Sequence, residues 1–214
     1  TGGSSAGSGA SIAANFAAAA VGSETSGSIL SPSSANSLVG LKPTTGALSR
    51  TGVVPISGSL DTTGPMARSV ADVIILFNAM TGYDQRDTAM PMMSDDLRLE
   101  HRDQSMAGLR LGASGRYLDD ELFVGALGLL SADEAAIVEI SLPEIDTQGF
   151  GTLLGREMVR DLALYLRDHA SPMVMIDSVD DLQAFNLQRP DLRMPYGQAE
   201  VDRMVELDIS PAEL

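Results

Sequence analysis

The sequence predicts an α/β protein, and three observations carry that prediction. First, residues 109–142 read as strand, helix, strand: "LRLGAS" (109–114), "DDELFVGALGLLSAD" (119–133) and "AIVEISL" (136–142). That order predicts a parallel crossover unit. Second, "LLGREMVRDLALYLRDHA" (153–170) has the spacing of a long amphipathic helix. Third, an apolar run ended by proline, "SLVGLKP" (37–43), reads as a buried strand and is followed by a helical stretch, "SVADVIILFNAMTG" (69–82).

In chain order, residues 9–20 read as a helix of small side chains, able to pack closely on a sheet or another backbone. The strand at 37–43 comes next. The helix at 69–82 carries its own punctuation: Ser69 can cap it, Asp72 stands at its third position, and Gly82 can end it. A polar excursion, "MPMMSDDLRLEHRDQSMAG" (90–108), marks a soft boundary. The crossover unit and the long helix follow, and "VDDLQAFNLQ" and "GQAEVDRMVEL" read as two further helices. No internal repeat is visible.

Composition narrows the chemistry. Over 214 residues, hydrophobic content is 44%, enough for a core, but aromatics are 4% and Trp is absent, so Ala, Leu, Ile, Val and 11 Met must build it. There is no Cys, which removes disulfides, thiolate metal sites and Cys nucleophiles. With two His, a histidine-based metal site is poorly supported, and no metal or cofactor is expected. The net charge of −15 is lopsided: residues 1–90 hold five acids against four bases, the remainder 24 acids against 10. An acidic second half argues against nucleic-acid binding, which needs clustered Lys and Arg; it reads as a solvated surface. No apolar run reaches the ~18–20 residues that cross a bilayer, so no membrane partner is expected. The Ala-rich "SIAANFAAAAV" lacks a basic lead-in and is not a signal peptide. A cytoplasmic setting is favoured, although the chain starts without Met and its true N-terminus is expected to lie upstream.

The chemistry-bearing feature is the opening run "TGGSSAGSGAS" (1–11). Gly3-Ser4-Ser5-Ala6-Gly7 satisfies the nucleophile-elbow pattern with Ser5 as nucleophile. That elbow needs a preceding strand and a downstream acid and His, and both His101 and His169 read as surface residues. A phosphate cradle fares worse. No G-K-[ST] ending is present, and Lys42, the only lysine, stands too far along. A third reading pairs Ser4 with Ser28, two serines in Gly/Ser turns at either end of a helix. Spacing alone does not bring them together, and two ordinary turns would account for it.

The ordered string "GGSSAGSGASIAA…VGSETSGSILSPSSANSLVGLKPTTGALSRTGVVPISGSLDTTGPMARSVADVIILFNAMTGYDQRD" closely resembles the amidase signature family over residues 1–87. Several separate motifs agree in sequence: GGSS-x-GS, GS-[DE]-T-x-GS, VGLKPT-x-G-x-x-SR-x-G and SLDT-x-GP-x-x-RSV-x-D. Farther on, "LRDHASP…DDLQAFNLQ…LRMPYGQ" resembles the peptide-amidase branch, with less specific motifs. The resemblance implies a mixed β-sheet core flanked by helices on both faces, incomplete at both ends of this chain. It frames residues 1–214 as one partial domain, with 1–90 as the signature or catalytic core and 91–214 as an acidic α/β region on the substrate side.

The family uses a Ser–Ser–Lys triad. By resemblance, Ser28 is the nucleophile and Ser4 the relay serine, preceded by a cis peptide bond at Gly3–Ser4. Ser28 would attack the amide carbonyl while Ser4 passes its proton to and from a neutral lysine. The N–H groups of Thr25, Ser26, Gly27 and Ser28 correspond to the oxyanion hole. Gly3 and Ser5 are supporting residues, Ser5 as a hydrogen-bond partner of the lysine. Asp61, Met66 and Arg68 are read as stabilising loops. No cofactor is implied.

Two departures matter. The family's lysine lies well upstream of GGSS, and Lys42 matches the structural lysine of GLKPT. The chain as given is therefore expected to lack its general base and to be inactive alone. Leu30 stands where many members carry Arg, which disfavours substrates with an acidic group there. The leading expectation is a hydrolase of amide C–N bonds acting on a small-molecule or peptide amide, C-terminal peptide amides above all. Two alternatives stay open: a glutamine-deamidating amidotransferase subunit, and a non-catalytic pseudoenzyme. A homo-oligomer is compatible with each.

Overall fold

The computed structural model describes residues 2–91, 97–102 and 104–207. Part of the polar excursion expected at 90–108 therefore lies outside the described residues. Thr1–His101 and Gly149–Leu214 form one compact unit, and Arg102–Gln148 a second.

The first unit opens with α1 (Ala6–Ala13), β1 (Ala19–Glu24), α2 (Leu30–Ala35), β2 (Val39–Gly40), β3 (Thr62–Ala67) and α3 (Val70–Met80). The expected helix over 9–20 is thus two elements. Asn15 ends α1 in the left-handed region at φ 61°, a conformation that Asn tolerates and that stops a helix. The chain then reverses, and residues 19–24 become a strand. The strand expected at 37–43 shrinks to Val39–Gly40.

β3 is the middle strand of a three-stranded sheet ordered β1-β3-β2, antiparallel on both sides. Its register with β1 runs from Ala19 opposite Ala67 to Glu24 opposite Thr62. All six β3 residues are buried, although "TTGPMA" has Pro65 where a central strand normally needs an N–H. The Pro65 carbonyl still accepts from Leu41 N–H at 3.0 Å. Burial here overrides propensity. Ile12 of α1, Ile29 and Met66 of β3 are fully buried together, with Ala20 and Leu38 against them. Gly22 makes this packing possible: a Cβ there would stand 2.8 Å from Ser5 Oγ and 2.9 Å from Met66 Sδ, inside real contact distances.

α3 starts as expected, one residue after Ser69, whose hydroxyl accepts from Asp72 N–H at 3.1 Å. Its Val73 and Phe77 are buried. The rest of this unit is helical: α5 (Phe150–His169), α6 (Val179–Leu187), the single turn α7 (Pro190–Arg193) and α8 (Ala199–Val205). Leu162, Val179 and Met204 form a second apolar cluster, ringed by Met158, Tyr165, Leu182 and Val201.

The second unit holds β4 (Arg110–Ser114), a 3-10 turn at Gly115–Tyr117, α4 (Glu121–Ala132) and β5 (Ala136–Ile140). β4 and β5 pair in parallel across α4, as the crossover pattern predicts. Asp120 caps α4 through Phe123 N–H at 2.9 Å. The α/β class is therefore observed, with antiparallel and parallel pairing both present.

Candidate active site

The two serine motifs meet. α1 carries the chain away from Ser4 and Ser5, and β1 carries it back, so that the start of the helix and the end of the strand stand side by side. Ser5 makes the joint. Its N–H donates to the Ser28 carbonyl at 3.1 Å. Its hydroxyl donates to Ser23 O at 3.1 Å and accepts from Ser23 N–H at 3.2 Å. The Gly3–Ser4 peptide bond is cis. Ser4 is exposed and Ser28 half-buried. Among the described residues, neither hydroxyl hydrogen-bonds another group. Ser5 Oγ, by contrast, is taken up by backbone, which does not suit a nucleophile.

Residues 24–29 form a tight loop between β1 and α2. Gly27 sits at φ 87°, a region closed to most side chains, and its carbonyl accepts from Ser31 N–H at 2.8 Å. Thr25, Ser26 and Ser28 flank it. Glu24, the last residue of β1, is buried at 4% exposure and fixes the far side of the loop. One carboxylate oxygen accepts Ile29 N–H at 2.7 Å and Leu30 N–H at 3.0 Å. Asp61 fixes the near side. Its Oδ1 accepts the Thr25 hydroxyl, and its Oδ2 accepts Ile56 N–H at 2.8 Å and Ser57 N–H at 2.9 Å. Two buried acids thus hold the loop between them, as hydrogen-bonded buried carboxylates can.

The candidate supporting residues behave as follows. Met66 is core. Arg68 donates to Ile12 O at 3.0 Å and to Ala17 O at 3.2 Å, pinning the α1–β1 reversal. Lys42 is exposed, and its ammonium donates to Pro43 O at 3.0 Å rather than to either serine.

A cleft of about 440 Å³ lies apart from the serines, between the 50–61 segment, the 86–88 turn and one face of α5. Arg50 is one of its lining residues. Its Nε and Nη2 clasp Asp87 at 3.0 and 2.8 Å, and its own N–H adds a third bond to Asp87 at 2.9 Å. Arg50 Nη1 reaches Gly58 O and Asp61 O. On α5, Glu157 Oε2 accepts from the Ser57 hydroxyl, the Ser59 hydroxyl at 2.8 Å and Ser59 N–H at 3.3 Å. Asp161, one turn along α5, accepts Gly58 N–H at 2.7 Å.

Burial pushes the Asp87 carboxyl up, but its bonds to Arg50 outweigh that and hold it below the usual carboxylate range. Glu157 is depressed in the same way: burial raises it, and the Ser57 and Ser59 donors together with Arg160 more than offset the rise. A carboxyl with a depressed folded value contributes stability above its unfolded value and loses it as pH falls through the folded one. Stability to urea is therefore expected to be flat from about pH 7 to 5 and to fall below about pH 4, under the unfolded values of Asp and Glu. Asp87→Asn and Glu157→Gln should each flatten that fall; a fall of unchanged steepness in both variants would refute the assignment.

His101 and His169 are exposed, and His169 packs on Tyr165 with ring centroids 5.1 Å apart. Among the described residues, no three His, Asp or Glu gather as metal ligands, and no helix is long and apolar enough to cross a membrane.

Glu24, Arg50, Asp87, Glu157 and Asp161 escape the sequence reading. Glu24 stands inside the GSETSGS motif and could be found there as the one acid in an otherwise small, neutral run. Glu157 and Asp161 carry no such mark, because acids four apart beside Arg160 look like any solvated helix face.

Comparison with known proteins matches the Amidase family over residues 1–192. The chain is 42% identical over 149 residues to a glutamyl-tRNA(Gln) amidotransferase subunit of Methylobacillus flagellatus, covering 66% of this chain and 30% of that protein. Among solved structures it is similar to the native peptide amidase of Stenotrophomonas maltophilia, with TM-score 0.80, 36% identity, and coverage of 97% of this chain and 44% of that one. It is also similar to an amidase family protein of Bacillus anthracis, with TM-score 0.84, 33% identity, and coverage of 99% and 43%. The chain thus spans well under half the length of these relatives. With nine-tenths of its length inside the family's pattern and the serine motifs folded against one another, the chain belongs to the amidase family.

Proposed function

We propose that this chain carries the nucleophilic half of a serine hydrolase of carboxylic amide C–N bonds, acting on C-terminal peptide amides or similar neutral amides. The observation that carries the reading is the 3.1 Å bond from Ser5 N–H to Ser28 O, which seats the Ser28 loop against the cis Gly3–Ser4 turn. In this reading, Ser28 Oγ bonds to the amide carbon and gives up its proton through Ser4 Oγ to a neutral lysine. The N–H groups of Thr25, Ser26, Gly27 and Ser28 receive the oxyanion, each such donor contributing roughly 2.7–4 kcal/mol. The lysine returns the proton through Ser4 to the departing ammonia or amine, breaking the C–N bond, and water then releases the acid. Lys42 is occupied elsewhere, so residues 1–214 alone are proposed to be inactive. Leu30, 47% exposed beside the loop, suits a neutral amide better than an acidic one.

A second reading, a glutamine-deamidating amidotransferase component working with partner proteins, is favoured by the 42% identity to a glutamyl-tRNA(Gln) amidotransferase subunit. Turnover of a free peptide amide without partner proteins separates the two. A fluorophosphonate probe tests the site itself. The full-length protein is expected to label at Ser28, and the 214-residue chain only slowly. Labelling at Ser5, or an unreactive full-length protein, would favour the elbow or the pseudoenzyme instead.

A further inference from the structure

We infer that Glu157 of α5 is a positioning residue for the loop that carries Ser28, acting through the turn at 57–61. The inference rests on the reading of Thr25–Ser28 as the oxyanion-binding loop. It is a chain of three carboxylate contacts, each within the first compact unit.

The turn brings its donors to α5. The Ser57 and Ser59 hydroxyls and Ser59 N–H converge on Glu157 Oε2, and Gly58 N–H goes to Asp161. The other carboxylate oxygen, Glu157 Oε1, faces Arg160 Nη2 at 3.7 Å. Within the turn, Leu60 N–H and Asp61 N–H both donate back to Ser57 O, at 3.1 and 2.8 Å. Ser57 therefore links α5 to Asp61: its hydroxyl is on Glu157, and its N–H is on Asp61 Oδ2 at 2.9 Å. Asp61 Oδ1 then holds the Thr25 hydroxyl. Ser57 is fully buried, and Asp61 and Glu157 nearly so. Water is a poor substitute for any of these partners, and ionised acceptors make the strongest of such bonds.

Glu157 does not touch the serines of the proposed triad. Its effect would be on where the 25–28 N–H groups point, and fixed donors aimed at developing charge act on kcat rather than on substrate binding. Gln at 157 keeps the shape and can turn its carbonyl oxygen to the Ser57 and Ser59 donors, but its N–H₂ then faces the Arg160 guanidinium and the charge that strengthened those bonds is gone. The turn would loosen, and Asp61 and Thr25 with it.

The test uses the full-length protein and a C-terminal peptide amide. Glu157→Gln is expected to lower kcat about 10-fold with KM changed less than about 2-fold, the signature of lost transition-state stabilisation. Thr25→Val should do the same, and Thr25→Ser, which keeps the hydroxyl, should restore activity. The double variant Glu157→Gln/Thr25→Val should be within about 2-fold of Thr25→Val, because both break one chain. Backbone hydrogen exchange of residues 25–29 should speed about 10-fold in Glu157→Gln. Ser59→Ala, which spares the carboxylate, should shift exchange in the same direction and serves if Glu157→Gln fails to fold. Multiplied losses in the double variant, or unchanged exchange at 25–29, overturn the inference. If Ser28→Ala remains active, the functional reading fails, and the exchange result still decides the coupling.

Discussion

Ser28→Ala in the full-length protein is expected to lower kcat for a peptide amide by at least about 10⁴-fold, leaving KM and thermal stability almost unchanged. The reasoning is local. Ser28 is half-buried in a loop held by the Glu24 and Asp61 carboxylates and the turn at Gly27, none of which hydrogen-bonds the Ser28 hydroxyl. Among the described residues that hydroxyl makes no hydrogen bond, so its removal opens no buried polar gap. What is lost is the atom that attacks. Ser4→Ala should cost about 10²–10⁴-fold, because a relay can be partly replaced by water whereas a nucleophile cannot. Steady-state kinetics and melting curves on the same preparations check both. A Ser28→Ala enzyme keeping more than a tenth of its kcat would remove Ser28 from the mechanism.

The largest stability effect is expected at Arg50. Its guanidinium makes two bonds to Asp87 and reaches the carbonyls of Gly58 and Asp61, tying the 50s segment, the turn before β3 and the 84–87 turn together. The side chains of Arg50 and Asp87 are 15% and 4% exposed. Arg50→Ala leaves the Asp87 charge buried with backbone donors only, which costs about 3 kcal/mol. Arg50→Lys should recover little, because an ammonium cannot reproduce the two-pronged clasp while also reaching the carbonyls. Urea unfolding followed by far-UV circular dichroism measures this. A loss under about 1 kcal/mol would class the pair with surface salt bridges. Ser28 should therefore matter for rate and not for stability, and Arg50 for stability first.

Much of the helical structure was legible. α3 could be placed from Ser69, Asp72 and the apolar run between them, and the parallel β4–β5 pair from its strand-helix-strand order. These are local signals, and local chemistry satisfies them. β1 and β3 were not legible. "AAVGSE" has one β-branched residue, "TTGPMA" opens on two and then runs through Gly and a mid-strand Pro, and neither has an aromatic or an alternating apolar pattern. They are strands because each pairs with the other, and because Ile12, Ile29 and Met66 need the space that their small residues leave.

The candidate site divides along the same line. The order of its motifs is a property of the sequence, but it was their resemblance to the amidase signature, and not their spacing, that pointed to Ser4 and Ser28. That the motifs touch was decided by the tertiary structure, in which β1 runs back beside α1 while paired along its length with β3. So too was the clamp from Glu157 and Asp161 onto the turn at 57–59, about 100 residues earlier in the chain. A hydrogen bond between groups so far apart has no sequence period to announce it. Local patterns report which groups a segment can satisfy by itself, and only packing settles where the remaining buried donors find their acceptors.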